Sequence, residues 1–404
     1  MSGEGLGAEL RSILGEPAHL LARDPISLPL PVVLGLTGAG STYGLLQQAG
    51  IRLGARHVEA WTNGRLKFDI QEFDHQSCDP NATVDLSTLG LTGAGAMITT
   101  FIFCFGAQIP AIQKSRTFAL DPVGSMGPAY KGAPYCYGLR SLWPYDSQAG
   151  LWRVIQRRHP SVKRWTVVSS EFSPDWMSAL KRVFEQLAVE IGVSVDFIAT
   201  QYAGTDYAST VAEMKRRRSD AYFTLLYGTD LATIARELNR QGMLGGPVFA
   251  TIEFDPIDFA EVGDLLAGWY AGQEYMDLSA PPSPWTGLFL REFGKSGSAM
   301  PFHYYIAVAY SAMFTMATLV DRIVGFGGNL GKGDDFVKAL EMDPMVPHIY
   351  AGAGPRRTQM AIDLATHAAK SMPMVALRAT GSKNPGSAEK VATYDVGGRG
   401  ITLL

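Results

Sequence analysis

Lys67-Phe68-Asp69-Ile70-Gln71-Glu72-Phe73, then Cys78-Asp79-Pro80, then Met97-Ile98-Thr99-Thr100-Phe101-Ile102-Phe103 running into Cys104, is the stretch whose reading decides the fold. Both apolar runs read as short strands closed by turn residues. If they lie parallel and adjacent, the two sulfurs, 26 residues apart (104 − 78), reach the same edge of a sheet. An oxidising compartment then allows a Cys78–Cys104 disulfide. Free cysteines packed as small hydrophobes are the other reading. Cys136, in Pro134-Tyr135-Cys136-Tyr137, has no evident partner.

On either side, strand-like and helix-like runs alternate, the pattern of parallel sheets with crossover helices. Pro31 to Leu36 reads as a strand closed by Thr37-Gly38-Ala39-Gly40, and Tyr43 to Ala60 as the helix after it. A weaker helix is predicted after Pro80, and Thr117 to Leu120 and Tyr135 to Leu139 complete a first sheet. The plan then restarts. Arg164 to Ser169, Ser194 to Thr200, Ala221 to Leu226, Pro247 to Thr251 and Gly268 to Glu274 read as strands, with helices over Asp175 to Ile191, Tyr207 to Arg218 and Asp230 to Gln241. Two successive α/β sheets predict two lobes. Trp143-Pro144-Tyr145-Asp146-Ser147 reads as a crossover between them. Tyr304 to Val324 is a long, mostly apolar helix expected to be buried, and Met360 to Asp363 with Met372 to Ala376 reads as a β-hairpin turning at Ala365-Thr366-His367.

At 404 residues, 47% hydrophobic and 18% charged, the chain can bury a full core. Its net charge of −3 argues against a sequence-independent nucleic-acid binder, which needs a basic face. The run Lys215-Arg216-Arg217-Arg218 closes a helix, where cations suit the dipole. No continuous run of about 18 apolar residues is present, so no membrane-spanning helix is expected. Residues 1–24 lack a basic start and an unbroken apolar core, and they read as a short amphipathic helix interrupted at Gly15-Glu16-Pro17 rather than as a signal peptide.

Catalytic and cofactor motifs are missing. The Gly-rich turn at Gly38 and Gly40 lacks the third glycine of a dinucleotide fingerprint, and Asp74 lies 34 residues (74 − 40) beyond it. The seven histidines show no metal spacing, and no nucleophile elbow occurs. No enzyme activity, cofactor or metal is therefore expected. Loops at the carboxyl ends of the strands remain, where open α/β sheets bind ligands, and they mix aromatic walls with a few polar groups.

Together these pieces resemble the periplasmic leucine/isoleucine/valine-binding proteins, the type I solute-binding proteins of ABC transporters. The resemblance runs from about residue 30 to 395. It is carried by Thr37-Gly38 with Tyr43-Gly44, Asp74 with Cys78-Asp79-Pro80, Gln108-Ile109-Pro110, Asp121-Pro122, and Arg140 with Asp146 to Gly150. Thr205-Asp206-Tyr207, Arg240-Gln241-Gly242 and the segment Asp363 to His367 continue it.

The resemblance implies a two-lobed type I periplasmic-binding-protein fold, each lobe a parallel sheet flanked by helices, hinged by three crossovers. Its implied boundaries are an N-terminal extension at 1–29, lobe 1 at 30–144 and 276–346, lobe 2 at 145–275 and 347–395, and a tail at 396–404. A small-molecule ligand would be clamped as the lobes close, and an ABC transporter permease would read the closed form. Similarity of position implies Tyr43, Phe105, Val123 and Ser125 as lobe 1 contacts, Ser173, Tyr227 and Glu253 as lobe 2 contacts, and Tyr305 from the late helix. Ser125 and nearby backbone amides would hold a carboxylate, and Glu253 an ammonium. One departure matters: Phe105 stands where amino-acid binders of this kind place a hydroxyl, so a larger or more apolar ligand is expected, an aromatic or aliphatic carboxylate or an amide. The location implied is periplasmic or extracellular. The alternative is a cytoplasmic sensor of the same fold acting on a regulatory protein, which the unseen signal peptide favours.

Overall fold

The computed structural model describes residues 3–38, 41–76, 93–100, 102–124, 133–140, 145–171, 174–201, 204–226, 229–254, 256–276, 278, 281–296, 302–350, 357–370, 372–384, 387–395 and 398–404, with the side chains of 102–107, 146, 174–176 and 256–258 excepted. Helices α1 (Gly3–Leu14) and α2 (Ala18–Leu21) precede strand β1 (Ile26–Leu34), helix α3 (Ser41–Trp61) and strand β2 (Leu66–Asp74). β1 pairs with β2 along its whole length but with β3 (Ala96–Ile98) only at Val32. Pro29 and Pro31 are tolerated because that side of the strand is unpaired over them. After β3 come α4 (Ile102–Ser115), β4 (Phe118–Asp121) and β5 (Cys136–Gly138), giving an all-parallel sheet in the order β2-β1-β3-β4-β5.

The chain next builds α5 (Tyr145–Arg158), β6 (Arg164–Glu171), α6 (Pro174–Ile191), β7 (Ser194–Gln201), α7 (Ala208–Arg217) and β8 (Ala221–Leu225). α8 (Asp230–Arg240), β9 (Val248–Thr251), α9 (Pro256–Val262) and β10 (Tyr270–Glu274) follow. It returns for α10 (Pro284–Lys295), α11 (Tyr304–Gly325), α12 (Gly333–Met342) and a small antiparallel sheet of β11 (Met345–Pro347), β12 (Gln359–Asp363) and β13 (Ala368–Ala369). β14 (Met374–Arg378), β15 (Glu389–Asp395) and β16 (Arg399–Leu403) then complete a second sheet, β16-β15-β14-β10-β9-β8-β6-β7. Its β10-β9-β8-β6-β7 part is parallel, and β14 to β16 are antiparallel.

Two compact units result: residues 1–142 with 276–372, and residues 143–275 with 373–404. The chain therefore passes between them three times. In unit 1 the core is the α3–α11 pair. A Cβ on Gly50 would lie 2.2 Å from the Ile306 carbonyl oxygen, so only glycine lets these helices approach this closely. α11 is the one helix among the described residues long and apolar enough to cross a membrane, yet its apolar stretch is 83% buried, as a core helix requires. In unit 2, Trp152 of α5 stacks on Trp165 of β6 at 4.2 Å between centroids, with Phe184 and Phe223 against the pair. All four rings are fully buried, and truncating one such indole costs about 3 to 5 kcal/mol.

Several expectations change. The apolar run read as a strand to Phe103 stops pairing at Ile98, and Cys104 lies in α4. A short apolar run carries no periodicity that separates strand from buried helix. The hairpin closes on β13, whereas Met374–Arg378 pairs with β10 in unit 2. Residues 347–372 accordingly cluster with unit 1, not lobe 2. The N-terminal extension expected at 1–29 is packed against unit 1: Arg11 Nη1 donates to Trp61 O at 3.0 Å, Trp61 Nε1 donates to Gly15 O at 2.8 Å, and Leu20 N donates to Asp321 Oδ1 at 2.8 Å. Residues 396–404 are not a tail, since β16 pairs with β15. The helix expected after Pro80 lies outside the described residues, as does the proposed Cys78–Cys104 bond. Cys136 is a free, buried thiol, pushed up to about 12 by burial and then by the Asp121 charge.

Candidate functional site

At the carboxyl edge of the unit 1 sheet the loops are fixed by carboxylates. Asp74, ending β2, accepts from Leu36 N at 2.8 Å and Thr37 N at 3.3 Å through Oδ1, and from Thr37 Oγ1 at 2.5 Å through Oδ2. Burial pulls its pKa upward, but the bonds from Thr37, Gln76 and Leu36 win and hold it below the usual carboxylate range. The first turn of α3 approaches the end of β1 so closely that a Cβ on Gly44 would lie 1.9 Å from the Gly35 carbonyl oxygen. That places Tyr43 in the first turn of α3, buried.

Tyr43 meets Tyr305 at 5.5 Å and His303 at 6.5 Å between ring centroids. His303 caps α11 by accepting from Tyr305 N through Nδ1 at 3.1 Å, which fixes both neighbours. Tyr304 and Tyr305 stand edge to face at 4.5 Å. The Arg140 guanidinium lies 5.1 Å from the Tyr304 ring and 5.8 Å from that of Tyr305, and its Nη1 donates to Val123 O at 3.1 Å. One contiguous, buried group of Tyr43, Tyr305, Arg140 and Val123 results, built of rings and a guanidinium.

Asp121, ending β4, accepts from Val123 N at 2.9 Å and Gly124 N at 2.7 Å. The amides of Val123 and Gly124 are thus committed to an internal carboxylate, while Ser125 and the amides after it lie outside the described residues. Of the predicted residues, the structure brings Tyr43, Val123 and Tyr305 together. Phe105 is placed only by its backbone, in α4. Ser125, Ser173 and Tyr227 lie outside the described residues. Arg140 stood out in the sequence only as part of the resemblance, and His303 and Tyr304 not at all. Their one signal is position, immediately before and within the first turn of a long apolar helix.

Unit 2 presents carboxylates instead. Glu253, two residues past β9, is buried, as are Glu274 at the end of β10 and Asp230 in the first turn of α8. Ser170 Oγ donates to Asp230 Oδ2 at 3.4 Å, and the Tyr207 hydroxyl is held above its ordinary range by burial and then by the Asp230 charge. Phe254 N donates to Gln273 Oε1 at 3.0 Å, fixing the loop that carries Glu253. Among the described residues no group of His, Cys, Asp and Glu side chains fits a metal ion.

A family model described as periplasmic binding protein matches residues 27–382. No curated protein matches in sequence. Among solved structures, a leucine-binding protein from Thermotoga maritima superposes with a TM-score of 0.72 at 15% identity, covering 91% of this chain and 98% of its own. A solute-binding protein of an ABC transporter from R. palustris, in complex with 4-hydroxybenzoate, gives 0.71 at 16%, covering 91% and 97%. A fatty acid ABC transporter substrate-binding protein from Thermomonospora curvata gives 0.71 at 16%, covering 91% and 93%. The fold is the type I periplasmic-binding-protein fold, two α/β units with helices on their sheets. These solved structures are named as leucine-, solute- and substrate-binding proteins.

Proposed function

Because the chain belongs to the periplasmic binding protein family, we propose that it captures a small organic ligand outside the cytoplasm and delivers it to the permease of an ABC-type importer. The observation that carries this reading is the aromatic group of Tyr43, His303, Tyr304 and Tyr305 backed by Arg140 at the carboxyl edge of the unit 1 sheet. Such edges are where open α/β sheets bind ligands. Phe105, Ser125, Ser173, Tyr227 and Glu253 complete the proposed contacts, with the two lobes closing on the ligand and the closed form read by the permease.

The ligand class follows from the same surfaces. The rings at hand suit an aromatic or aliphatic carboxylate or an amide better than a plain branched-chain amino acid. Leucine, 4-hydroxybenzoate and fatty acid in the names of the neighbours span that choice. Thermal-shift screening against amino acids, aromatic acids, fatty acids and amides, followed by calorimetry, tests it. An aromatic or fatty acid is expected to raise the melting point most. A response confined to leucine, isoleucine and valine would overturn the ligand class, and no response from any compound would overturn the binding role.

A further inference from the structure

The amino ends of β6, β8 and β9, opposite the strand ends that carry Asp230 and Glu253, frame a cleft of about 560 Å³ whose lining includes His159, Ser161, Lys215, Arg218, Ser219 and Asp220. Its charge is unbalanced. In the run that closes α7, the two inner arginines are spent on ion pairs: Arg216 with Glu213 at 2.5 Å, and Arg217 with Glu213 at 2.8 Å and Asp196 at 3.4 Å. The two outer cations, Lys215 and Arg218, line the cleft, and among the described residues neither forms a salt bridge. Lys215 Nζ makes one hydrogen bond, to Gln241 O at 3.1 Å.

Asp220 offsets only one of them. Its Oδ2 accepts from Lys163 N and Arg164 N, both at 2.9 Å, which ties that oxygen to the main chain at the start of β6 and leaves two cations against one carboxylate in the lining. His159 is tied to the Tyr270 hydroxyl at 2.9 Å and adds no acid. A helix dipole accounts for cations near the end of α7, but the paired arginines already serve it. Arg218 also sits at φ 52° and ψ 42°, a left-handed C-cap that glycine adopts without strain and arginine does not.

We propose that this cleft binds a small soluble oxyanion, a phosphate or a carboxylate, through charge-assisted hydrogen bonds from Lys215 Nζ and the Arg218 guanidinium, with the Ser161 hydroxyl as a neutral donor. The site is independent of the transported ligand, lying at the other end of the unit 2 strands. Calorimetric titration of the full chain with inorganic phosphate and with citrate, against sodium chloride of matched ionic strength, tests it. Saturable binding of one or both oxyanions and none of chloride is expected, and the two arms tell phosphate from carboxylate. Arg218→Gly fits the left-handed backbone, so the fold survives while affinity falls about tenfold or more. Lys215→Gln should act likewise, and Arg216→Gln, which removes a paired cation, should leave the affinity unchanged. No saturable binding of either oxyanion, or equal affinity in wild type and Arg218→Gly, overturns the proposal.

Discussion

The carboxyl edges of the two sheets are made of opposite materials. Unit 1 offers four aromatic rings and a guanidinium, with Asp74 and Asp121 turned inward as acceptors for their own loops. In unit 2, Asp230, Glu253 and Glu274 lie buried at or just past the ends of neighbouring strands. Burying a carboxylate costs free energy unless donors meet it, so the same residue type does different work in the two places. Asp121 is a structural brace, since two main-chain amides converge on it, whereas Glu253 stands buried in the loop just past β9.

Breaking that distinction is an experiment on stability. Asp121→Ala leaves two buried amides without an acceptor and is expected to destabilise unit 1 by about 3 to 5 kcal/mol in urea titrations, while Asp230→Ala, which removes the bond from Ser170 and a charge beside Tyr207 but leaves no main-chain amide stranded, should cost less, about 1 to 2 kcal/mol. Equal losses would erase the contrast. Acid sharpens it next. His57, bonded to Tyr310 Oη at 3.0 Å in the unit 1 core, has its pKa lowered from 6.5 to about 4 by burial, partly offset by Glu292. A folded value below the unfolded one means that protons favour the unfolded chain, so stability is full above pH 6.5 and is lost as the pH falls towards 4. The loss is on the order of 3 kcal/mol, and denaturation midpoints of His57→Gln should vary less over this window than those of wild type.

Ligand binding supplies two smaller effects. If the ligand carries an ammonium, Glu253→Gln should weaken it by about 2 to 4 kcal/mol by calorimetry, and unchanged affinity would mean that the ligand has no amine there. Tyr305→Leu removes one ring from the unit 1 group and should cost an aromatic ligand about 1 kcal/mol, with little effect on an aliphatic one.

The two sheets were legible because their runs are long and separated by turn residues: Arg164 to Ser169 and Ala221 to Leu226 match β6 and β8 to within about two residues. Less was legible where tertiary pairing decides. Met360–Asp363 and Met374–Arg378 carry similar apolar patterns, yet they join different sheets because β13 closes the turn first. β16 contains Gly400 and is mostly exposed, which gives it little strand propensity of its own. Arg158 Nη2, donating to Leu404 O at 2.9 Å, helps to hold the segment in place. In the site, Tyr43 and Tyr305 could be read from their places beside a strand end and a helix start. The partners that orient them across the chain could not, because Arg140 reaches Tyr305, and His303 reaches Tyr43, over gaps of well over a hundred residues.

The stacked Trp152 and Trp165 give unit 2 an intrinsic optical signature. Two indoles this close couple their electronic transitions, so the native protein should show an exciton couplet in circular dichroism that tracks the register between α5 and β6. Denaturing one half of the molecule could then be followed without labels, in the light its own side chains absorb.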